Sequence, residues 1–258
     1  MSYPQDRGIT RRAFGFTASC ALASLAFGDA CSALGNPATA TDGRLIGRPR
    51  ADGPSTLKSG PLGLGSERDG VIQMPSAPAA VPLPLLVFLH GATQSGATML
   101  RRIGPAADQA GVVVVAPDSR GRTWDAIRGP FADDVEFLNR MLEYVFARVA
   151  VDPARIALGG FSDGATYALS LGLANGDLFP RVVANSPGFV VPAPPHGHPR
   201  FFVSHGTSDQ ILPIDQCSRV IVPRLKSMGY EVTFREFDGR HELPPDVAAE
   251  AMRWTAAA

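Results

Sequence analysis

Apolar residues along the chain occur in short continuous runs that alternate with longer amphipathic segments. The runs are rich in Val, Leu, Ile and Phe and predict buried β-strands at residues 84–89, 111–116, 155–158, 181–184, 200–204 and 231–237. Helical spacing of apolar positions predicts helices at residues 97–110, 133–150, 165–174, 215–228 and 245–254. Buried strands that alternate with helices indicate an α/β fold, in which a mostly parallel, doubly wound sheet carries helices on both faces.

The segment that precedes these elements has a different composition. Residues from about 34 to 66 are rich in Gly, Pro, Ala, Ser and Arg and show no apolar period, which is typical of a flexible connection. We therefore predict a flexible lead-in over residues 41–66 and a single α/β domain over residues 67–258.

The N-terminus carries an export pattern. The pair Arg11-Arg12 precedes an apolar run of small residues at positions 14–27, which is too short and too weakly hydrophobic for a membrane span. Such a run suits the core of a signal peptide, and paired arginines before it match the twin-arginine export signal. We predict a signal peptide over residues 1–40 and a periplasmic or secreted protein. Sites of the small-x-small type, where cleavage would occur, end at Ala40 and Ala30.

The balance of charge narrows the classes of partner. Lys plus Arg and Asp plus Glu each number 24, so the formal net charge is zero. No basic stripe points to nucleic acid or to a membrane surface, and we expect no stable membrane insertion of the mature protein.

Cys20 and Cys31 fall within the predicted signal. Cys217 then cannot form an internal disulfide, and its apolar helical surroundings favour a buried side chain over a nucleophile.

A candidate nucleophile lies in the motif Gly-x-Ser-x-Gly at residues 160–164. The motif stands between an apolar strand-like run and a helix-like stretch, and its glycines permit a tight turn with Ser162 at the apex. A serine presented in this way can reach both a base and a substrate. The alternative is that Ser162 merely caps the following helix.

An acid and a histidine follow later strands. Because ligands of an open α/β sheet bind beyond the carboxyl ends of its strands, the residues after each run are the candidates for chemistry. Asp209 follows the run at 200–204, and His241 follows the run at 231–237. The order Ser, Asp, His is that of the α/β-hydrolase arrangement. In it Ser162 attacks an acyl carbonyl, His241 transfers the proton, and Asp209 orients and stabilises the imidazolium.

An oxyanion formed by this attack needs two donors in place. The backbone N–H of Asp163, directly after the nucleophile, and that of Ala92, in the turn after the run at 84–89, are the predicted oxyanion hole. Trp124, in the loop after the run at 111–116, either anchors the core or lines the substrate pocket.

Other titratable residues compete for these roles. His90 and His205 also follow strands, but we expect them to shape their loops, since a base at His205 would leave Asp209 without a role. Asp238 lies in the same turn as His241, and Asp215 lies at a helix start, so Asp209 is the preferred acid.

Two further groupings receive a structural interpretation. His196 and His198 lie in a proline-rich loop without a carboxylate or third histidine at matching spacing, so we expect no metal site. Asp133 and Asp134 open a long amphipathic helix, where carboxylates cap free N–H groups and complement the helix dipole.

The stretches at 84–91, 160–165, 205–214 and 238–242 together resemble the phospholipase/carboxylesterase group of the α/β-hydrolases. They are also similar to esterase, feruloyl-esterase and polyhydroxyalkanoate-depolymerase-like relatives. The resemblance implies a carboxylic-ester hydrolase, a serine esterase without a cofactor, whose triad is Ser162, Asp209 and His241.

One departure bears on the substrate. Between Asn175 and Phe201 there is room for only one short strand and a proline-rich loop, so no large lid is expected. An open site favours small or short-chain esters. An acyltransferase or thioesterase with the same triad, or a non-catalytic binding protein on this scaffold, remains as an alternative.

Overall fold

The computed structural model describes residues 42–77 and 82–257 of the chain. Its strands are β1 (Gly60–Pro61), β2 (Gly70–Gln73), β3 (Leu83–Leu89), β4 (Val113–Pro117), β5 (Val151–Phe161), β6 (Arg181–Asn185), β7 (Arg200–Gly206) and β8 (Val232–Phe237). They form one sheet in the order β1-β2-β4-β3-β5-β6-β7-β8. All pairs from β4 to β8 in this order are parallel, whereas β2 runs antiparallel to both β4 and β1. The mostly parallel sheet is therefore confirmed.

Helices connect most of the parallel strands. They are α1 (Gly96–Ala110), α2 (Asp133–Phe146), α3 (Asp163–Ala174), α4 (Ser218–Ser227) and α5 (Pro245–Ala256), with a short 3-10 turn at Asp125–Ile127. In the part of the chain that the structure describes, no helix is both long and apolar enough to cross a bilayer.

Alternate side chains of β3 point to the two faces of the sheet and show how the helices are distributed. Leu85 and Val87 pack in one apolar cluster with α2 and α3, while Leu86 and Phe88 pack in another with α1 and α5. A further cluster joins α4 to α3 over β6 and β7. The sheet thus carries α2, α3 and α4 on one face and α1 and α5 on the other. Burial on both faces explains why its strands are continuous apolar runs.

Helix α1 is positioned by signals that are local in the sequence. Ser95 caps its N-terminus by accepting the N–H of Thr98 at 3.2 Å. Gly111 ends it in the left-handed region at φ 68°, where the absence of a Cβ removes the steric cost. Because the N–H of Gly96 also donates to Asp118 Oδ1 at 2.7 Å, the turn between β3 and α1 is tied to the end of β4.

Most elements differ from the predicted bounds by only one or two residues, and the largest differences are at α2, β5 and α4. Helix α2 ends at Phe146, where the N–H of Arg148 donates to Val145 O at 2.9 Å in a tighter turn, and the carbonyl of Ala150 accepts the N–H of Leu83 at 2.9 Å. Strand β5 begins at Val151, which pairs with Leu83. Helix α4 begins at Ser218, after a turn in which Pro213 O accepts the N–H of Cys217 at 3.1 Å. These bounds depend on a strand pairing between residues distant in sequence or on the hydrogen bonds of a local turn, and hydrophobic spacing predicts neither.

Parts of the segment predicted as a flexible lead-in, residues 41–66, pack against the domain. Leu45 is 1% exposed within the core, and its N–H donates to Asn175 Oδ1 at 2.8 Å. Arg44 pairs with Asp177 at 2.7 Å. Leu62 is buried beside β1. A segment without apolar periodicity is ordered here because side chains of the domain bind its backbone, which composition does not reveal. The predicted signal peptide lies outside the described residues.

Candidate active site

Ser162 lies at a sharp turn between β5 and α3, with φ 58° and ψ −122°. A Cβ on Gly160 would overlap the carbonyl group of Gly164, and a Cβ on Gly164 would overlap the carbonyl oxygen of Leu89. Both glycines are therefore required by close backbone approach. The side chain of Ser162 makes no capping hydrogen bond to α3, so the alternative of a simple helix cap is wrong.

The backbone around Ser162 is supported by the neighbouring strand. The N–H of Ser162 donates to Asn185 O at 3.0 Å, and the Asn185 side-chain amide donates to Gly160 O at 3.0 Å. Ser204 Oγ in β7 donates to Asn185 Oδ1 at 2.8 Å. These bonds connect three adjacent strands at their carboxyl ends and hold the turn that presents the hydroxyl.

His241 joins the three predicted triad residues. Its Nε2 lies 2.8 Å from Ser162 Oγ and its Nδ1 lies 2.7 Å from Asp209 Oδ2. Asp209 follows β7 and its side chain is fully buried, whereas the side chain of His241 is 15% exposed. In the resting arrangement the serine hydroxyl donates to Nε2 and Nδ1–H donates to the carboxylate, which is the geometry of a serine nucleophile with its base and orienting acid.

The carboxylate of Asp209 is held in the ionised form. Burial by itself raises its pKa, but the N–H groups of Leu212 and Ile211, each 2.9 Å from Oδ1, and the bond from His241 lower it more. The pKa of Asp209 consequently lies below its ordinary value, as expected for a carboxylate that accepts several N–H bonds.

The competing acids lie elsewhere. Asp215 is exposed and pairs with Arg219 at 2.8 Å. Asp238 is exposed, and within the described residues no hydrogen bond joins it to His241. The structure therefore brings Asp209, and neither alternative, into contact with the histidine.

The predicted oxyanion donors flank the nucleophile. Asp163 follows Ser162 directly, and the turn that contains Ala92 abuts it, since a Cβ on Gly91 would lie 3.3 Å from Ser162 Cβ. Within the described residues, neither the N–H of Ala92 nor that of Asp163 donates to a protein acceptor. Two N–H donors that are free of protein acceptors and lie in the backbone next to Ser162 match what an oxyanion requires.

Backbone strain is concentrated around this site. Among the described residues, the non-glycine positions with positive φ are Thr93 at 63°, Ser162 at 58° and Ser186 at 51°. They follow β3, β5 and β6, strands that are adjacent in the sheet. Conformations of this kind cost about 1–3 kcal/mol each and cluster at functional sites.

His90 shapes the turn after β3, as the sequence predicts. Its Nδ1–H donates to Gly91 O at 2.7 Å, and its Nε2 accepts the N–H of Ser119 at 2.9 Å. Burial lowers the pKa of His90, so the ring is neutral and this tautomer is defined by its two partners. His90 therefore ties the turn after β3 to the loop after β4.

Trp124 belongs to the core beneath the same turn. It is 1% exposed, its Nε1–H donates to His90 O at 2.8 Å, and its ring stacks on Tyr167 at 5.3 Å. The structure thus decides between the two roles that the sequence leaves open: Trp124 anchors the core and supports the turn after β3.

The paired aspartates at the start of α2 act differently from the prediction. Asp134 accepts the N–H groups of Arg120 and Asp125 at 2.6 and 2.7 Å, so it organises the preceding loop. Burial raises the pKa of Asp134 to about 6. The start of α2 is capped by Asp125, whose Oδ2 accepts the N–H groups of Ala132 and Asp134. The tertiary loop supplies the cap that was expected from the helix itself.

A second histidine contacts the triad acid. Nε2 of His205 lies 3.1 Å from Asp209 Oδ2, the oxygen that also accepts from His241. The sequence places His205 four residues before Asp209 and predicts a loop-shaping role, but spacing alone does not show that both rings converge on one oxygen.

Metal ligands do not assemble in the described part of the chain, where no group of three or more His, Cys, Asp or Glu side chains could hold an ion. His198 stacks on Tyr230 at 4.8 Å, and Cys217 is buried. A surface groove of about 670 Å³ between β2 and α1 contains none of the triad residues. Hydrogen-bond geometry, and not concavity, therefore identifies the site.

Comparison with known proteins gives a family match. The sequence profile of the phospholipase/carboxylesterase family matches residues 63–256. NocK of Nocardia uniformis subsp. tsuyamanensis, a protein whose name describes it as an esterase, is 28% identical over 211 residues, which cover 78% of this chain and 56% of NocK. The chain thus spans little more than half the length of that relative.

Solved structures show the same fold. Esterase PE8 superposes with a TM-score of 0.58 at 21% identity, covering 77% of this chain and 98% of PE8. The S-formylglutathione hydrolase FrmB of Staphylococcus aureus superposes with a TM-score of 0.61 at 15% identity, covering 78% of this chain and 100% of the FrmB chain.

Proposed function

The chain belongs to the phospholipase/carboxylesterase family, and from this premise we propose that it hydrolyses carboxylic esters through an acyl-enzyme on Ser162. The observation that carries the proposal is the position of His241, within 2.8 Å of Ser162 Oγ and 2.7 Å of Asp209 Oδ2. A serine hydroxyl is a weak nucleophile unless a neighbouring base takes its proton. Here the imidazole of His241 can take that proton, and the buried, ionised carboxylate of Asp209 can stabilise the imidazolium that forms.

The proposed reaction gives each group a role. Ser162 Oγ attacks the acyl carbonyl while His241 Nε2 takes its proton, and Asp209 stabilises the imidazolium. The N–H groups of Ala92 and Asp163 bind the oxyanion, where the loss of one donor typically costs about a hundred- to a thousandfold in rate. His241 then returns the proton to the leaving alcohol. Water, deprotonated by the same histidine, releases the acid and restores Ser162.

The proposed substrates are small or short-chain esters. Between α3 and β7 the chain forms only β6 and a loop at residues 186–199, without a helix that could cover the site. Ser162 and His241 are both partly exposed. A nucleophile without a helical cover suits soluble esters better than the long chains that lid-bearing lipases bind.

Labelling with a fluorophosphonate probe tests the nucleophile. We expect the protein to be labelled, and Ser162→Ala to abolish labelling, while the matched control Ser208→Ala, at an exposed serine near the triad acid, retains it. Labelling that is equal in Ser162→Ala would overturn the assignment and favour a non-catalytic binding protein.

Activity on a panel of p-nitrophenyl esters tests the substrate class. We expect the highest kcat/KM at acetate or butyrate, and activity confined to long acyl chains would contradict the open-site argument. A thioester and rising concentrations of a primary alcohol complete the panel. Preferential turnover of the thioester, or transfer to the alcohol in place of hydrolysis, would indicate a thioesterase or an acyltransferase with the same triad.

We also propose export by the twin-arginine route, on the strength of the pair Arg11-Arg12 before the apolar run at 14–27. Replacement of both arginines by lysine keeps the charge and should abolish export of the full chain in a host with this pathway. A signal variant that is still exported would contradict the route.

A further inference from the structure

His205 is buried completely at the carboxyl end of β7 and makes contacts through both ring nitrogens. Its Nδ1 lies 2.7 Å from Oγ of Ser218, the first residue of α4. Its Nε2 lies 2.8 Å from Leu212 O and 3.1 Å from Asp209 Oδ2. The ring therefore spans the space between α4 and the loop that carries the triad acid.

The partners define which nitrogen carries the proton. A carbonyl oxygen and an ionised carboxylate can only accept, so Nε2 of His205 must carry the hydrogen, which it donates to Leu212 O while lying 3.1 Å from Asp209 Oδ2. Nδ1 then accepts the hydroxyl proton of Ser218, because burial lowers the pKa of His205 and keeps the ring neutral. With the other tautomer, the Nε2 lone pair would face two oxygen atoms and repel both.

This arrangement surrounds the carboxylate of Asp209 with donors. Oδ1 accepts the N–H groups of Ile211 and Leu212, and Oδ2 faces Nδ1 of His241 and Nε2 of His205. The peptide of Leu212 is held from both sides, since its N–H donates to Asp209 while its carbonyl accepts from His205. Rotation of the carboxylate away from His241 would also lose the contact with His205.

We propose that His205 is a positioning residue, which holds Asp209 Oδ2 in line with His241 Nδ1 and is itself oriented by Ser218. The inference rests on the proposed esterase function and extends it, because it assigns a role in the triad to a histidine that does not meet the substrate. Within the described residues the only hydrogen-bond partner of Ser162 Oγ is His241, so His205 acts through Asp209.

A double-mutant cycle tests this role. His205→Leu removes the donor, and His205→Gln restores a side-chain N–H of similar reach. Ser218→Ala removes only the orienting hydroxyl. Thr255→Val, which loses a buried helical hydroxyl bonded to Ala251 O at 2.9 Å in α5, is the matched control for stability. Each variant is made in the wild-type chain and in Asp209→Asn, and circular dichroism confirms that it is folded.

Two rates are measured for every variant: hydrolysis of p-nitrophenyl acetate and labelling of Ser162 by the fluorophosphonate. We expect His205→Leu to lower kcat about 10- to 100-fold with little change in KM, which corresponds to one hydrogen bond to a charged group. Ser218→Ala should lower kcat about threefold, as expected for the loss of one hydrogen bond between neutral groups. His205→Gln should retain most of the wild-type rate. In Asp209→Asn, all of these losses should fall to less than about twofold, because residues acting through one group are not additive.

Three results would overturn the inference. The first is a loss of kcat that is the same with and without the Asp209 carboxylate, and the second is a loss of kcat for Thr255→Val as large as for His205→Leu. The third is that kcat is unchanged in both His205→Leu and Ser218→Ala. If His205→Leu does not fold, the cycle with Ser218→Ala and His205→Gln decides. Failure of the proposed function has a different signature, because the wild-type chain would then show neither labelling of Ser162 nor ester hydrolysis.

Discussion

Thr123 Oγ1 donates a hydrogen bond of 2.5 Å to Asp163 Oδ2. Asp163 follows the nucleophile and supplies one of the proposed oxyanion donors through its backbone, while Thr123 lies in the loop after β4. The backbone of the same loop accepts the N–H of Thr93 at Arg122 O, 2.7 Å away. Both sides of the proposed oxyanion hole are thus held by one loop, although neither side belongs to that loop.

We expect Thr123→Val to lower kcat about three- to tenfold with little change in KM, because the hydrogen bond that orients Asp163 is lost while the shape is kept. Steady-state hydrolysis of p-nitrophenyl acetate measures the effect. Thr123→Ser keeps the hydroxyl and should retain most of the rate. Equal rates for the Val and Ser variants would show that the bond has no part in positioning the donor.

The pH dependence of stability should report the low pKa of Asp209. The unfolded-state pKa of an aspartate is about 3.9, and that of folded Asp209 is lower, so its charged form stabilises the fold above that pH. This stabilisation is lost as pH falls through the folded pKa. Urea unfolding should give a stability difference between wild type and Asp209→Asn that is constant near neutral pH and shrinks below about pH 4. Ser162→Ala should follow wild type, and a difference independent of pH would contradict the assignment.

Asp134 should show the opposite sign. Its pKa is raised to about 6 in the folded chain, above the unfolded value, so its contribution to stability is greatest at low pH and is lost as pH rises. Between about pH 4 and pH 6, the free energy of unfolding of wild type relative to Asp134→Asn should fall by on the order of 2 kcal/mol. Asp133→Asn, at the exposed neighbour, is the control. A relative free energy that rises with pH would contradict the predicted sign.

Leu45 tests whether the segment before β1 contributes to the stability of the domain. Leu45→Ala should destabilise the fold by about 2–4 kcal/mol, because a buried leucine leaves a cavity in the core. Ile46→Ala, at a side chain that is 70% exposed, should change the free energy of unfolding by less than about 0.5 kcal/mol. Equal, small effects in thermal unfolding of the two variants would show that the segment is dispensable for stability.

Six strands, five helices and the triad residues were predictable because their signals are local. Continuous apolar runs reflect burial on both faces of the sheet, and Ser162, Asp209 and His241 each follow such a run directly. The strands β1 and β2 were missed since four residues or fewer carry no period, and only pairing with β4 makes them strands.

The sequence by itself determined the fold class and the candidate residues Ser162, Asp209 and His241, because each follows a strand and the strand ends of a parallel sheet converge. Only the tertiary structure decided that Trp124 supports the turn after β3, that Asp125 caps α2, and that His205 shares Asp209 with His241. The physical reason is that these contacts join side chains from separate elements. Which polar groups of separate elements come into contact depends on how the helices pack on the sheet, and the spacing of residues along the chain does not predict this.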